Sequence, residues 1–192
     1  MKQKRIGKQT VALRDPPSIL GSASAVGKKE GEGPLRKSFD VISEDSYFGE
    51  KTWEKAESAM QRLVFQQALN KARLIPAQLD YLFAGDLLNQ CIASTFAMRD
   101  TAVPYFGLFG ACSTMAEGLG LAAMMIDGGY AEYACALTSS HFCSAERQFR
   151  QPLAYGGQRA PTAQWTATAA GAFVMFLRSS AAGRNVLRMN AP

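Results

Sequence analysis

Four short runs of apolar residues constrain the fold of this chain most strongly. They lie at 81–84, 103–109, 131–138 and 171–177. None of them alternates with polar residues, as a strand with one solvated face does, so each is typical of a strand buried between two layers of helices. Segments with helical patterns lie between the first three runs, and this order predicts an α/β fold with a mostly parallel sheet and right-handed crossovers.

The clearest helix begins after Thr52, which can serve as an N-cap, and ends before Pro76. Apolar residues recur through it at helical spacing. Further helices are predicted at about 91–99 and 113–127. The first fifty residues contain many turn formers, and we expect a first strand at 8–13 followed by a loop. The sheet predicted from these elements has five strands.

Composition indicates one folded domain. The chain has 192 residues, of which 47% are apolar and 19% charged, far from the composition of disordered proteins. Its formal net charge is +5, and four of the basic residues are Lys2, Lys4, Arg5 and Lys8. This basic start could contact an anionic membrane surface, or it could be a solvated terminus. No basic stripe suggests nucleic acid as a partner.

No apolar run is long enough to span a membrane, and no secretory signal is visible, so we expect synthesis in the cytoplasm. The four cysteines have no C-x-x-C spacing and the chain has a single histidine. We therefore predict reduced thiols, no metal site and no cofactor.

A cysteine stands where a buried strand should turn into a helix, in the segment 109–115 with Gly110 and Cys112. The N–H groups and dipole at a helix start favour negative charge, which can lower a thiol pKa and can also bind a carboxylate. Cysteine is equally an ordinary small buried residue. We predict a functional role for Cys112 because of the turn that surrounds it.

Polar residues follow the run at 131–138, where a parallel strand is predicted to end. Ser139, Ser140 and His141 come first, and Arg147 and Arg150 follow. Ligands of open α/β sheets gather at the carboxyl ends of strands, so we predict that these residues bind a ligand. Two alternatives remain open. His141 could have a structural role, and the arginines could form ion pairs with Glu146 or with another subunit.

Asp86 is a further candidate ligand residue, because it follows Gly85 at the end of another predicted strand. A role as an N-cap or turn residue is equally compatible with its position.

Several strings in a fixed order resemble the stage V sporulation protein AD family within the thiolase and ketoacyl-synthase superfamily. They are residues 83–90, 108–114, 127–129, 138–141, 145–150 and 155–158. The resemblance implies a fold of two similar βαβαβ halves, with Cys112 at the nucleophile position of the first half. We expect a thiolase-like domain at 1–178, a tail at 179–192 that does not match, and no second half in this chain.

The resemblance implies binding of dipicolinic acid, with or without calcium, during its uptake into the developing spore. It also implies other stage V sporulation membrane proteins of the same operon as partners, a location at the periphery of the inner spore membrane, and a homodimer at full length. The ligand residues would be Asp86, Cys112, Ser139, Ser140, His141, Arg147 and Arg150. A Cys-dependent acyltransferase is the alternative, although its further catalytic positions belong to the second half, and a scaffold for assembly is another.

Overall fold

The computed structural model describes residues 4–149, 161–162 and 164–177. The strands in chain order are β1 Arg5–Ile6, β2 Thr10–Val11, β3 Ser18–Gly27, β4 Val41–Ser43, β5 Tyr81–Gly85, β6 Tyr105–Gly107, β7 Tyr133–Ser140 and β8 Ala169–Phe176. The helices are α1 Lys28–Gly31, α2 Trp53–Ala72, α3 Ile92–Met98, α4 Thr114–Asp127 and α5 Phe142–Phe149. Strands β3 to β8 form one mixed sheet with helices on both faces, which confirms the predicted α/β fold.

The sheet has six strands in the order β4-β3-β8-β7-β5-β6. Strand β8 pairs antiparallel with both β3 and β7, and every other pair in this sheet is parallel. Five of the six strands therefore run in one direction, as expected for a mostly parallel sheet. The sheet has one strand more than predicted. The additional strand is β4, a three-residue element at the edge of the sheet beside β3.

The first strand of the sheet differs from the sequence prediction at 8–13. Residues Thr10 and Val11 instead form β2, which pairs only with β1 in a small hairpin. The first strand of the main sheet is β3. It contains Gly21, where an added Cβ atom would collide with the backbone carbonyl of Ala68 in α2. Small residues in β3 thus allow α2 to lie directly against the strand, and they do not mark a turn.

The core has two layers. One hydrophobic cluster joins α2 and α3 to the sheet and includes Met60, Leu82 and Leu137. The other joins α4 to the opposite face and includes Phe83 and Ile126. Because successive residues of a strand point to opposite faces, this alternation also decides which side chains at the end of β7 face α2 and which face α4.

Helix α2 begins and ends close to the predicted positions. The Thr52 hydroxyl accepts a hydrogen bond from the backbone N–H of Lys55 at 3.3 Å, which caps the helix. The backbone of Arg73 adopts a left-handed conformation with φ of 58° and ends it. The predicted helices at 91–99 and 113–127 correspond to α3 and α4.

Candidate functional site

An open cleft of about 470 Å³ lies at the carboxyl ends of β5 and β7, beside the start of α4. We call it the Cys112 cleft. Its volume is within the range of ~300–1,000 Å³ typical of small-molecule sites. The lining residues are Leu87, Ala111, Cys112, Met115, Thr138, Ser139, Ser140, Gln164, Trp165, Thr166, Ala167, Ala169, Ala170 and Gly171.

Cys112 lies in a single 3-10 turn, Ala111–Ser113, which leads directly into α4. The backbone of Ala111 is left-handed with φ of 47°, so the chain turns sharply before the cysteine. The Thr114 hydroxyl accepts from the Gly110 N–H at 3.2 Å and holds the turn closed. This arrangement leaves Cys112 exposed, and its side chain helps to line the cleft.

The backbone beneath this turn is tightly packed. Gly85, the last residue of β5, leaves no room for a side chain, because an added Cβ would collide with the Leu108 carbonyl oxygen. The buried Cys91 thiol donates to the same carbonyl at 3.0 Å. These contacts fix the segment that leads into the Cys112 turn.

The two serines at the end of β7 point in different directions. The Ser140 hydroxyl donates to the Ala167 carbonyl at 2.6 Å, and Thr138, two residues earlier, donates to the Gly85 carbonyl at 3.1 Å. Ser139 points to the same face of the sheet as Leu137, which packs against α2. The Ser139 hydroxyl donates to Glu57 at 2.8 Å. Ser139 therefore lines the cleft, but its hydroxyl is hydrogen-bonded to Glu57 behind the cleft wall.

A buried polar network lies behind this wall of the cleft. The Gln61 amide nitrogen donates to the hydroxyls of Ser94 at 2.9 Å and Ser139 at 2.6 Å. The Asp86 carboxylate accepts from the Ser94 hydroxyl at 2.6 Å, from the Ser94 N–H at 2.7 Å and from the Leu88 N–H at 2.8 Å. Asp86 is 1% exposed. In this structure it orders the β5–α3 connection and the start of α3.

His141 is also fully buried and is held by backbone atoms. Its Nδ1 accepts from the Cys143 N–H at 3.2 Å, so the other ring nitrogen, Nε2, carries the proton and donates to the Ser46 carbonyl at 2.8 Å. Burial lowers the pKa of His141 below its ordinary value. The neutral ring thus joins the start of α5 to the loop after β4.

Of the two candidate arginines, the structure describes only Arg147. Arg147 donates to the Glu54 carboxylate at 2.9 Å, and its guanidinium lies 4.5 Å from the ring centroid of Trp53. It does not line the Cys112 cleft. Arg150 lies outside the described residues, as do 155–158 and the tail at 179–192. Among the lining residues that the structure describes, none carries a formal charge.

Trp165 is the lining residue that sequence reasoning missed most clearly. It is 55% exposed, its ring stacks on Phe142 with centroids 4.8 Å apart, and the Lys29 ammonium lies 3.3 Å from its centroid. It also borders a neighbouring cleft of about 460 Å³ lined by Lys29, His141 and Cys143. No periodic pattern around residue 165 indicates this position.

Glu57 and Gln61 were missed as well, but here the sequence holds a signal. They are four residues apart on α2, and both fall among the positions that the helix buries. A carboxylate and an amide on a buried helical face predict a polar network within the core.

Within residues 4–149, 161–162 and 164–177, no cluster of three or more His, Cys, Asp or Glu side chains is placed to hold a metal ion. In the same part of the chain, no helix has the length and apolar character needed to cross a membrane. Another groove, of about 530 Å³ between α2 and α3, is lined by none of the predicted site residues.

Comparison with solved structures defines the fold class of the protein. The 3-oxoacyl-[acyl-carrier-protein] synthase III of Aquifex aeolicus VF5 aligns with a TM-score of 0.55 and 19% identity, over 85% of this chain and 54% of that one. The priming β-ketosynthase of the R1128 polyketide pathway aligns with a TM-score of 0.55 and 18% identity, over 90% of this chain and 53% of that one. These similarities show a thiolase-like fold.

Sequence comparison identifies the family within that class. A profile of the stage V sporulation protein AD family matches residues 7–188. The stage V sporulation protein AD of Bacillus subtilis (strain 168) is 41% identical over 172 residues, which is 90% of this chain and 51% of that protein. The chain belongs to the stage V sporulation protein AD family and spans about half the length of this relative. The family match continues past residue 178, the boundary expected from the sequence.

Proposed function

We propose that this chain carries part of a dipicolinate-binding site and acts in dipicolinate uptake during spore formation. The observation that carries the proposal is the Cys112 cleft, found in a chain of the stage V sporulation protein AD family. An open cleft at the carboxyl ends of parallel strands is where ligands of α/β proteins commonly bind.

The cleft offers groups suited to a planar aromatic dicarboxylate. The Trp165 indole, which is 55% exposed, can contact a pyridine ring edge-on, since Phe142 and Lys29 already lie against the indole ring. The start of α4 beside Cys112 favours negative charge through its dipole and its N–H groups. The Ser140 hydroxyl would turn from the Ala167 carbonyl to a ligand carboxylate. We propose Arg150 as the residue that supplies positive charge, since Arg147 is paired with Glu54.

The wider biological setting is part of the proposal. Partners would be other stage V sporulation membrane proteins, and the protein would lie at the periphery of the inner spore membrane. Calcium, where it takes part, would arrive with the dipicolinate. The full-length protein would be a homodimer.

Calorimetric titration of dipicolinate into the purified chain, and into the full-length homologue, tests the proposal. Saturable binding is expected, weakened at least several-fold by Ser140→Ala and by Arg150→Ala. Ser38→Ala, which removes an exposed serine far from the cleft in sequence, is the matched control and should bind normally. Benzene-1,3-dicarboxylate, which lacks the ring nitrogen, serves as a control ligand. No detectable binding to either protein would refute the proposal.

An acyltransferase is the second candidate, because Cys112 is exposed at the turn before a long helix in a ketosynthase-like fold. A nucleophilic thiol needs an oriented base, and the described lining residues include no His, Asp, Glu or Lys. Both nitrogens of His141 are engaged with backbone atoms. Incubation with an acyl-CoA followed by intact-mass measurement separates the candidates, since only an acyltransferase would add an acyl group to Cys112.

A further inference from the structure

Glu57 lies behind the Cys112 cleft and does not line it. It is fully buried on α2 and its two carboxyl oxygens contact different elements. One oxygen accepts from Ser139, a lining residue at the end of β7, at 2.8 Å. The other accepts from Ser144 on α5, also at 2.8 Å. The carboxyl group therefore connects the cleft wall to the helix that follows it.

The hydrogen bonds around Glu57 can be complete with or without a proton on it. When Glu57 is ionised, both serine hydroxyls donate to it. When the oxygen facing Ser144 is protonated, that group donates to Ser144, whose hydroxyl then donates to the His141 carbonyl, already 3.1 Å away. For Ser139 the described contacts offer no second acceptor, because its oxygen accepts from Gln61 and its proton is donated to Glu57.

The charges around Glu57 favour the protonated form. Burial raises the pKa of Glu57 most, and the nearby carboxylates of Asp86 and Glu54 raise it further, to about 7. The hydrogen bonds from Ser144 and Ser139 oppose this shift.

The other elements packed against Glu57 offer no cation to it. Helix α3 contains no titratable side chain. The titratable side chains of β7 are Tyr133 and Cys135. Helix α5 contributes Cys143, Glu146 and Arg147, of which Arg147 is paired with Glu54, and His141 before it is held neutral. An anion in the cleft would therefore repel an ionised Glu57, because the described residues of these elements place no unpaired cation beside Glu57. Positive charge that Arg150 supplies to the anion would reduce this repulsion.

We infer that Glu57 is a positioning residue of the Cys112 cleft, which holds the end of β7 to α5 and takes up a proton from solvent when an anion binds. The choice of dipicolinate as the anion rests on the proposed function. Ser144 is the residue that redirects its hydroxyl when the proton arrives. By linkage, protonation of Glu57 and anion binding strengthen one another equally.

Calorimetry of dipicolinate binding near pH 7, in buffers with different ionisation enthalpies, measures the protons taken up per ligand. At this pH dipicolinate is a dianion, so uptake reports on the protein. Because the pKa of Glu57 is about 7, the wild-type chain should take up as much as about half a proton. Glu57→Gln should abolish this uptake and flatten the pH profile of affinity. Glu44→Gln, which neutralises an exposed carboxylate, should retain both.

Uptake that persists unchanged in Glu57→Gln, or binding of the wild type without uptake, would overturn the inference. Absence of binding to the wild type would instead refute the proposed function and, with it, the coupling to an anion. The positioning role would then be tested by unfolding the protein without ligand. In that experiment the pH dependence of the free energy of unfolding that Glu57 causes should disappear in Glu57→Gln and persist in Glu44→Gln. An unchanged pH dependence in Glu57→Gln would refute the positioning role too.

Discussion

Replacement of Glu57 by glutamine should change how the stability of this protein depends on pH. Glutamine has nearly the same shape as a protonated glutamate and cannot ionise. In the wild type, burial raises the pKa of Glu57 from 4.5 to about 7, so the folded state binds a proton more tightly than the unfolded state between these values. The contribution of Glu57 to stability is therefore greatest at low pH and is lost as pH rises toward 7.

The size of this effect follows from the pKa difference. Each unit corresponds to about 1.4 kcal/mol, so a rise from 4.5 to about 7 corresponds to about 3 kcal/mol across the whole range. Between pH 5.5 and pH 8 the loss is about 2 kcal/mol by linkage. For a chain of 192 residues, this corresponds to about 4–8 °C in Tm.

Urea unfolding monitored by circular dichroism, at several pH values from 5.5 to 8.5, measures this loss. The free energy of unfolding of the wild type should fall relative to that of Glu57→Gln by about 2 kcal/mol over the range. Above pH 8 the difference between the two should no longer change. Glu44→Gln should run parallel to the wild type. A constant difference between wild type and Glu57→Gln throughout would show that Glu57 titrates normally and would refute the reasoning.

Three further substitutions test the geometry of the site. Gly85→Ala should destabilise the chain by about 1–3 kcal/mol in urea unfolding, because its Cβ would collide with the Leu108 carbonyl. Gly120→Ala, which has open space around it, should be neutral or stabilising, and equal effects would contradict this packing. Asp86→Asn should cost about 1–3 kcal/mol, because an amide cannot accept every bond that the carboxylate accepts from Ser94 and Leu88, whereas the exposed Asp100→Asn should cost little. Trp165→Ala should weaken dipicolinate binding about three- to tenfold by loss of an aromatic contact, measured by calorimetry, and unaltered affinity would remove Trp165 from the site.

The elements that sequence predicted well are those whose signals are local. Helix α2 has an N-cap, a repeating apolar face and a following proline, and β5 and β7 are apolar runs that end at turns. Strand β3 was missed because its small residues and Gly21 resemble a loop, although they serve close packing against α2. The reversed direction of β8 depends on the path of the connection before it, which no local pattern encodes.

The sequence indicated which of the candidate residues would lie together better than it indicated their contacts. Cys112 and Ser140 line one cleft, as their places at a helix start and a strand end indicated. The sequence could not show that Asp86 and His141 would be buried and bonded to backbone groups, because those partners come from distant segments. Ser139 and Ser140 have different hydrogen-bond partners for a simpler reason, since neighbouring residues of a strand point to opposite faces.

Protection of Cys112 from alkylation tests most directly whether the Cys112 cleft binds dipicolinate. The thiol is exposed in that cleft, whereas Cys143 is partly buried beside the neighbouring one and provides an internal control. Iodoacetamide labelling followed by peptide mass spectrometry gives the rate at each cysteine. We expect dipicolinate to slow labelling of Cys112 saturably and to leave Cys143 nearly unaffected. An unchanged rate at Cys112, at dipicolinate concentrations that saturate binding in calorimetry, would contradict the assignment of the site.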